Sequence, residues 1–509
     1  MEFGTAESGS NELDRSIHLS NKVNHFEPKD CTVKGVGGTS KTWGGRCVTF
    51  DEVDFMPREA VRGNCTWDPS VFHDVKRFYE VAATYMDCEP ARFSLHDIPG
   101  AEGERIAEGF DEGDVLDSGL ERWSLPTRYG DKFGDHLRQS PNIHVVVECR
   151  ADLLRSTNGE VGALVVCDRR TQKSGEVTGK NYVIAAGGQE TTRLLLKSVD
   201  VFSQLESVPS SLGRYYHGHL VGQIATVKFS GNPRKTEHSF RRDGQAYVRR
   251  RFQLAPEVLL REGLLNCASW LDNPPYHDPV HRSGTMSMIY LMLVSPILGD
   301  WLAPASMRET VTKGEKRYKI GQHVWNVVRG APRSLLEPSA IFIRRYLLHR
   351  KLPGVFLYNS RNEYALNFQA EQTPNQDSRM SLSEDGESLL IDFRYSLEDA
   401  NSVIRTHRIL DEWLRKTGSG ELCFWYDDDQ LAEALLARSR DGVHQGGTTR
   451  MGRSPNESVL DFNLKVWGAN NLYCCSSSAF PTSGHANPTF LLLAFAARLA
   501  DLLCTHAIR

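Results

Sequence analysis

Hydrophobic and polar residues are most sharply patterned at the C-terminal end of the chain. There "NPTFLLLAFAARLADLL" opens at Asn487 and is apolar on nearly every side. Asn487 is a good N-cap and Pro488 suits the first helical position, so the stretch predicts a buried helix. Its N-terminus directs unpaired N–H groups and a positive dipole end into the protein, where an anionic or anion-developing group is favoured. Further back, "NIHVVVECRADLLRS" and "GEVGALVVCD" read as paired strands joined by a turn at Asn158 and Gly159. "KNYVIAAGGQETTRLLLKS" reads as a buried strand, a glycine turn and a helix. Residues 222 to about 440 alternate as strands, with turns at Gly354, Pro374 and Gly386. "SLEDANSVIRTHRILDEWLRKTG" interrupts them as an amphipathic helix with a serine cap and an acidic first turn. "VFHDVKRFYEVAATYM" and "GERIAEGFDEGD" give helical patterns and polar loops between Trp67 and Gly134.

At 509 residues the chain exceeds one core, and without a repeat or low-complexity linker its domains are expected to interleave. A net charge of −4 argues against nucleic acid as a partner. Two stretches, "RRDGQAYVRRRF" from Arg241 and "FIRRYLLHRK" from Phe342, are locally basic. They are expected to be solvated faces, docking to a membrane surface or redox partner being the other reading. The longest apolar run, "MIYLMLVSP" from Met288, is too short to cross a bilayer, so no membrane span is expected. Eleven cysteines without CxxC or CxxCH spacing give no support for haem, an iron–sulfur cluster or zinc. Reduced thiols in a cytoplasmic protein are the simplest reading, with Cys474 and Cys475 as small buried hydrophobes. His217 and His219 could pair on a metal, but no carboxylate is near in sequence and a structural role is expected.

In "VKGVGGTSKTWGGRCVTF", Gly37, Gly38, Gly44 and Gly45 surround Thr39, Ser40 and Trp43. Such a loop lets the backbone approach a ligand closely and lets Trp43 cover a flat ring, although a plain structural turn explains it as well. Near the C-terminus "HQGGTTRMG" is followed 43 positions after its histidine by "NPT". An imidazole with an ordinary value of ~6.5 is largely neutral at working pH, so His444 is a candidate base; the Asn487 amide is a candidate donor to the same oxygen.

Together "HQGGTTRMG", "SVLDFNLKVWGANNLY" and "SSSAFPTSGHANPTFLLLAFAARLADLL" resemble the C-terminal signature of the glucose-methanol-choline (GMC) oxidoreductases, FAD enzymes that oxidise alcohols. The glycine loop resembles the "GGTSxxWGG" flavin loop of the branch containing pyranose oxidases and sugar dehydrogenases. The resemblance implies an α/β fold, a Rossmann-like FAD-binding domain interleaved with an α+β substrate domain. FAD-binding parts would lie at 1–60, 141–221 and 441–509, a helical excursion at 61–140 and the substrate domain at 222–440. It implies oxidation of a CH–OH group, in a sugar, glycoside or polyol, by hydride transfer to flavin N5 with His444 as base and Asn487 as its partner. FAD contacts would come from Gly37, Thr39, Ser40, Trp43, Gly44, Ala151, Ser477 and Thr489, and from Glu2 on the adenosine ribose. His485 would line the substrate pocket. Some relatives attach FAD through a histidine just before the tryptophan; Thr42 here implies non-covalent FAD. Partners would be a small-molecule alcohol and an unidentified electron acceptor.

Glu2 would follow the GxGxxG turn by ~20 residues, and no GxGxxG with a following helix occurs in the sequence. An incomplete N-terminus is one account of this. The other is a flavin-free chain acting as a binding or partner protein; a GMC-type lyase that keeps FAD without redox work is a third reading.

Overall fold

A computed structural model describes residues 16–61, 65–124, 127–299, 318–342, 354 and 356–508. Its largest element is an eight-stranded sheet, antiparallel at every pairing. The order is β15 (Gly420–Phe424), β8 (His219–Phe229), β12 (Glu363–Glu371), β11 (Cys267–Asp272), β10 (Ala246–Leu254), β3 (Val115–Trp123) and β2 (Arg46–Cys47), with β9 (Arg241–Asp243) beside β10. One side of the sheet packs on the helix Leu397–Thr417, where Phe252, Leu254 and Leu366 share a core with Ile409, Leu410 and Leu414. That helix forms as its sequence predicts: Ser396 and Asp399 close a capping box and Gly418 ends it in the left-handed conformation.

The other side of the sheet is charged. Glu121 on β3 accepts from Arg46 Nε at 2.7 Å and Arg249 Nε at 2.6 Å, and all three side chains are buried. The "RRR" of β10 is therefore not a solvated face, as its composition suggests, but the middle of a sheet. Arg250 pairs with Asp117 at 2.6 Å, and Arg251 donates to His485. The same pairing explains why Val115–Trp123 reads as part of a helical excursion yet is a nine-residue strand. Asp117, Glu121 and Arg122 break its apolar alternation because each meets an opposite charge inside the protein. The sheet thus draws strands from well before residue 222. The second basic stretch, beyond Phe342, lies outside the described residues.

The parallel pairing expected of a Rossmann sheet is present between β7 (Tyr182–Ile184) and β16 (Leu472–Cys474), and β7 feeds the helix Gly187–Lys197. The hairpin of β4 (Cys149–Thr157) and β5 (Glu160–Asp168) turns at Asn158 and Gly159, both at positive φ. Strand β4 starts at Cys149 rather than in "NIHVVV", whose Ile143, Val145 and Val146 are exposed. The C-terminal helix Pro488–Ile508 forms, with Phe490, Leu491, Ala494 and Phe495 in the largest core. Leu492, Leu493, Ala496 and Ala497 on its other side are only half-buried, so it is less enclosed than its sequence implies. Residues 488–505 have the length and composition of a membrane span. The buried residues of this helix pack against the helices Ser70–Lys76 and Tyr79–Tyr85.

His407, in the helix Leu397–Thr417, stacks edge-on against Phe368; burial lowers it to about 4. The unfolded chain takes up that proton near pH 6.5 and the folded chain does not, so this residue costs stability as pH falls from ~6.5 towards 4. His407→Leu is expected to gain on the wild type by about 2 kcal/mol between pH 7 and pH 5 in urea unfolding. An unchanged difference between the two would mean that His407 is protonated in the folded chain.

Candidate functional site

Asp441 ends the turn that carries the "GVHQGG" loop, and its carboxylate is wholly buried. Oδ1 accepts backbone N–H bonds from Gly442 at 2.7 Å, Val443 at 2.9 Å and His444 at 3.1 Å. Oδ2 accepts from the His219 backbone at 2.7 Å and faces His444 Nδ1 at 3.0 Å. Burial pushes the carboxyl up, but the His444 and His219 rings and these bonds outweigh it and hold Asp441 well below its ordinary value. An ionised carboxylate only accepts, so His444 carries its proton on Nδ1 and leaves the Nε2 lone pair as an acceptor.

That lone pair points at Asn487, whose Nδ2 is 3.0 Å away. The Asn487 amide is orientated from its other end: Oδ1 accepts from Arg46 Nη1 and from Gln369 Nε2, each at 3.2 Å. Gln369 also donates to the His485 carbonyl at 2.9 Å and accepts from Arg46 at 2.7 Å. Asn487 therefore spends its side chain across the site instead of capping its own helix. The His219 ring stands edge-on to His444, Nδ1 to Nδ1 at 3.1 Å, with its Nε2 towards the Ser483 carbonyl at 3.3 Å. The carboxylate missing from the local sequence of His219 arrives from Asp441, 222 positions away.

The loop is held by close approach. Gly446 lies under His217, whose Nε2 bonds the Phe480 carbonyl at 3.0 Å, and a Cβ on Gly446 would overlap the His217 ring. Gln445 accepts from the Gln189 N–H at 3.1 Å, and Ser477 donates to the Gln445 carbonyl at 2.7 Å.

The structure thus unites His444 with Asn487, sets Ser477 behind their loop and Thr489, half-buried, in the first turn of the C-terminal helix. It places other predicted residues elsewhere. His485 is wholly buried beneath the helix start. Its Nε2 accepts from Arg251 at 2.6 Å, its Nδ1 is 3.5 Å from Asp51, and burial lowers it to about 3. It supports the site from the sheet side and does not line it. Gly37, Thr39 and Ser40 form a knot against the helix Tyr129–Gln139, where a Cβ on Gly37 would strike the Gly130 backbone and Ser40 Oγ accepts from the Tyr129 N–H at 3.0 Å. Trp43 donates to the Thr127 carbonyl and stacks on Tyr129, and Gly44 abuts the Trp123 ring. Ala151 pairs with Val166 in the β4–β5 hairpin. Glu2 lies outside the described residues.

Asp441, Arg46, Gln369 and His219 complete the geometry and were not singled out as site residues by the sequence. Asp441 had a readable signal, a carboxylate three residues before the histidine and next to a glycine. Arg46 and Gln369 are polar residues in buried strands, a pattern that only a partner explains.

A family profile described as GMC oxidoreductase matches residues 374–496, which contain this histidine loop and the start of the last helix. Over this region the chain is similar to the GMC oxidoreductases. A 6'''-hydroxyparomomycin C oxidase of Streptomyces lividus is 24% identical over 384 residues, covering 73% of this chain and 53% of that protein. The chain therefore spans about half the length of this relative. Two solved structures share the fold over nearly the whole chain. One is an FAD-dependent oxidoreductase from Chaetomium thermophilum, with a TM-score of 0.51 and 14% identity, covering 99% of this chain and 94% of its own. The other is a fungal aryl-alcohol oxidase, with a TM-score of 0.50 and 15% identity, covering 100% and 94%. The fold is the one that these two structures share.

GMC oxidoreductases are FAD flavoproteins, and the described residues fit the group at its flavin end. The C-terminal helix directs the N–H groups of its first turn towards the site, where a flavin carbonyl is a natural acceptor. Beside the histidine loop, the buried Gln189 side chain has no protein partner for either amide atom, leaving both a donor and an acceptor to spare.

Gly446→Ala is expected to cost about 1–3 kcal/mol through overlap with the His217 ring, read from urea midpoints. His217→Ala in the same chain should recover part of that loss; additive costs would show that the two residues do not press on one another.

Proposed function

We propose that this chain is an FAD-dependent oxidoreductase that oxidises the CH–OH group of a sugar, glycoside or polyol, with His444 as base and Asn487 holding the reacting oxygen. The observation that carries the proposal is the line Asp441–His444–Asn487, in which the Asp441 carboxylate holds the proton on His444 Nδ1 and His444 Nε2 is left as the acceptor facing the Asn487 amide. A hydroxyl that takes the place of the direct His444–Asn487 bond donates its proton to Nε2 and accepts from the Asn487 N–H. Proton removal leaves charge on the oxygen, which the same amide then stabilises. As His444 takes the proton, Asp441 balances the imidazolium across 3.0 Å. FAD, when bound, supplies the acceptor for the two electrons that leave the carbinol carbon. The first turn of the C-terminal helix, with Thr489, and the turn at Ser477 would hold it; Thr42 supports non-covalent attachment. The substrate class is supported by the Streptomyces lividus relative, named for oxidation of 6'''-hydroxyparomomycin C.

The purified protein is expected to show a flavin absorption band that bleaches when one of a panel of sugars and glycosides is added without oxygen. A colourless preparation would favour a flavin-free binding protein. His444→Ala is expected to lower the bleaching rate ~100-fold or more while keeping the band, and Asp441→Asn to lower it by a similar order because an amide no longer dictates the imidazole tautomer. Wild-type rates in His444→Ala would remove this residue from the role.

A further inference from the structure

Among the described residues three helices lie between β11 and β12, and the second and third are built inside out. In the helix Ile320–Arg329 the buried residues are His323 and Asn326, whereas Val324, Trp325 and Val328 are exposed. In the next, Arg333–Phe342, Ser334 is buried while Leu335 and Leu336 are exposed. The first, Gly284–Val294, turns Gly284, Thr285 and Ser287 inward together with Met286 and Tyr290, and leaves Ile289, Leu291, Met292 and Leu293 half-buried.

The inward polar groups are bonded to one another. His323 Nε2 donates to the His277 carbonyl at 3.0 Å, so its Nδ1 accepts from Ser287 Oγ at 3.0 Å; Asn326 Nδ2 donates to the same Ser287 oxygen at 3.1 Å. Ser334 donates to the Val327 carbonyl at 2.7 Å and Thr285 to Glu337 at 2.6 Å. Small residues let the helices approach: a Cβ on Gly284 would stand 2.7 Å from Ser334 Cβ and 3.2 Å from Gly330 Cα. A helix in water buries its apolar stripe and wets its polar one. Contacts between small residues, internal polar bonds and apolar residues turned outward are what packing in lipid selects.

The outward face is large. Trp325 is 64% exposed, Val328 61% and Leu336 65%, with Val324 and Leu335 beside them in sequence. Its chemistry is not that of a neutral patch: among the described residues Lys319, Arg329 and Arg333 flank it, and Glu337, which pairs with Arg333, is the acid beside them. The helices, at ten or eleven residues each, are too short to span a bilayer.

We propose that these helices dock the protein on an anionic lipid surface, with Trp325, Val328, Leu335 and Leu336 entering the headgroup–acyl boundary and Lys319, Arg329 and Arg333 meeting the lipid phosphates. Neither of those forces requires a flavin, so the inference stands independently of the activity proposed above. An apolar face with an aromatic anchor supplies insertion, and the positive charge supplies attraction that salt weakens.

Cosedimentation of the full chain with vesicles tests it. Binding is expected to phosphatidylcholine vesicles containing phosphatidylglycerol, weaker binding to phosphatidylcholine alone, and weakening with added sodium chloride. Val328→Asp with Leu336→Asp, both at exposed positions, should weaken binding about ten-fold or more without changing the urea midpoint. No binding by the wild type, or equal binding by the double variant, would overturn the proposal. So would a wild-type dimer, seen by sedimentation velocity, that the double variant abolishes, since the face would then belong to a second copy.

Discussion

The structure of the site depends on one carboxylate. Asp441 gathers four backbone N–H groups and one imidazole N–H within 3.1 Å, and no water is needed to satisfy it. Burying a charge is costly unless the surrounding bonds replace hydration, and here the backbone of the histidine loop and of β8 does so. Once Asp441 is ionised, the loop conformation, the His444 tautomer and the join between loop and sheet follow together.

Asn487 is set by a second layer of the same kind. Arg46 reaches it from β2 and Gln369 from β12, and both are braced by the charged side of the sheet. The apolar side rests on the helix Leu397–Thr417, so the sheet is at once a core and a template for polar groups. Side chains fixed in this way need little rearrangement when charge develops beside them, which is the physical content of preorganisation.

Much of this was legible in the sequence where the signals are local. The capping box at Ser396, the turn at Asn158 and Gly159, the strand–turn–helix from Tyr182 and the last helix all form where their residues place them. His444 and Asn487, 43 positions apart, do meet. The failures have one cause. Val115–Trp123 and Ala246–Leu254 carry charges that resemble a surface, yet Glu121 answers Arg249 across 128 positions and Asp117 answers Arg250 across 133. Hydrophobic patterning assumes that charge means water, and it fails where charge meets charge. His485 follows the same rule, since its partner Arg251 sits in a stretch whose composition suggests a solvated face.

Glu121 carries a consequence for how this chain can drift over time. One carboxylate serves two buried guanidiniums, those of Arg46 and Arg249, together with the Trp123 indole N–H. No single replacement at any of these positions leaves the others satisfied, because loss of the acid strands two cations and loss of either base alters the acid's share. Descendants that abandon the arrangement must therefore change several positions at once or pass through a poorly folded ancestor. Residues 46, 121 and 249 should be inherited as a set, and a relative lacking one of them would be expected to hold its Asn487 equivalent by some other means.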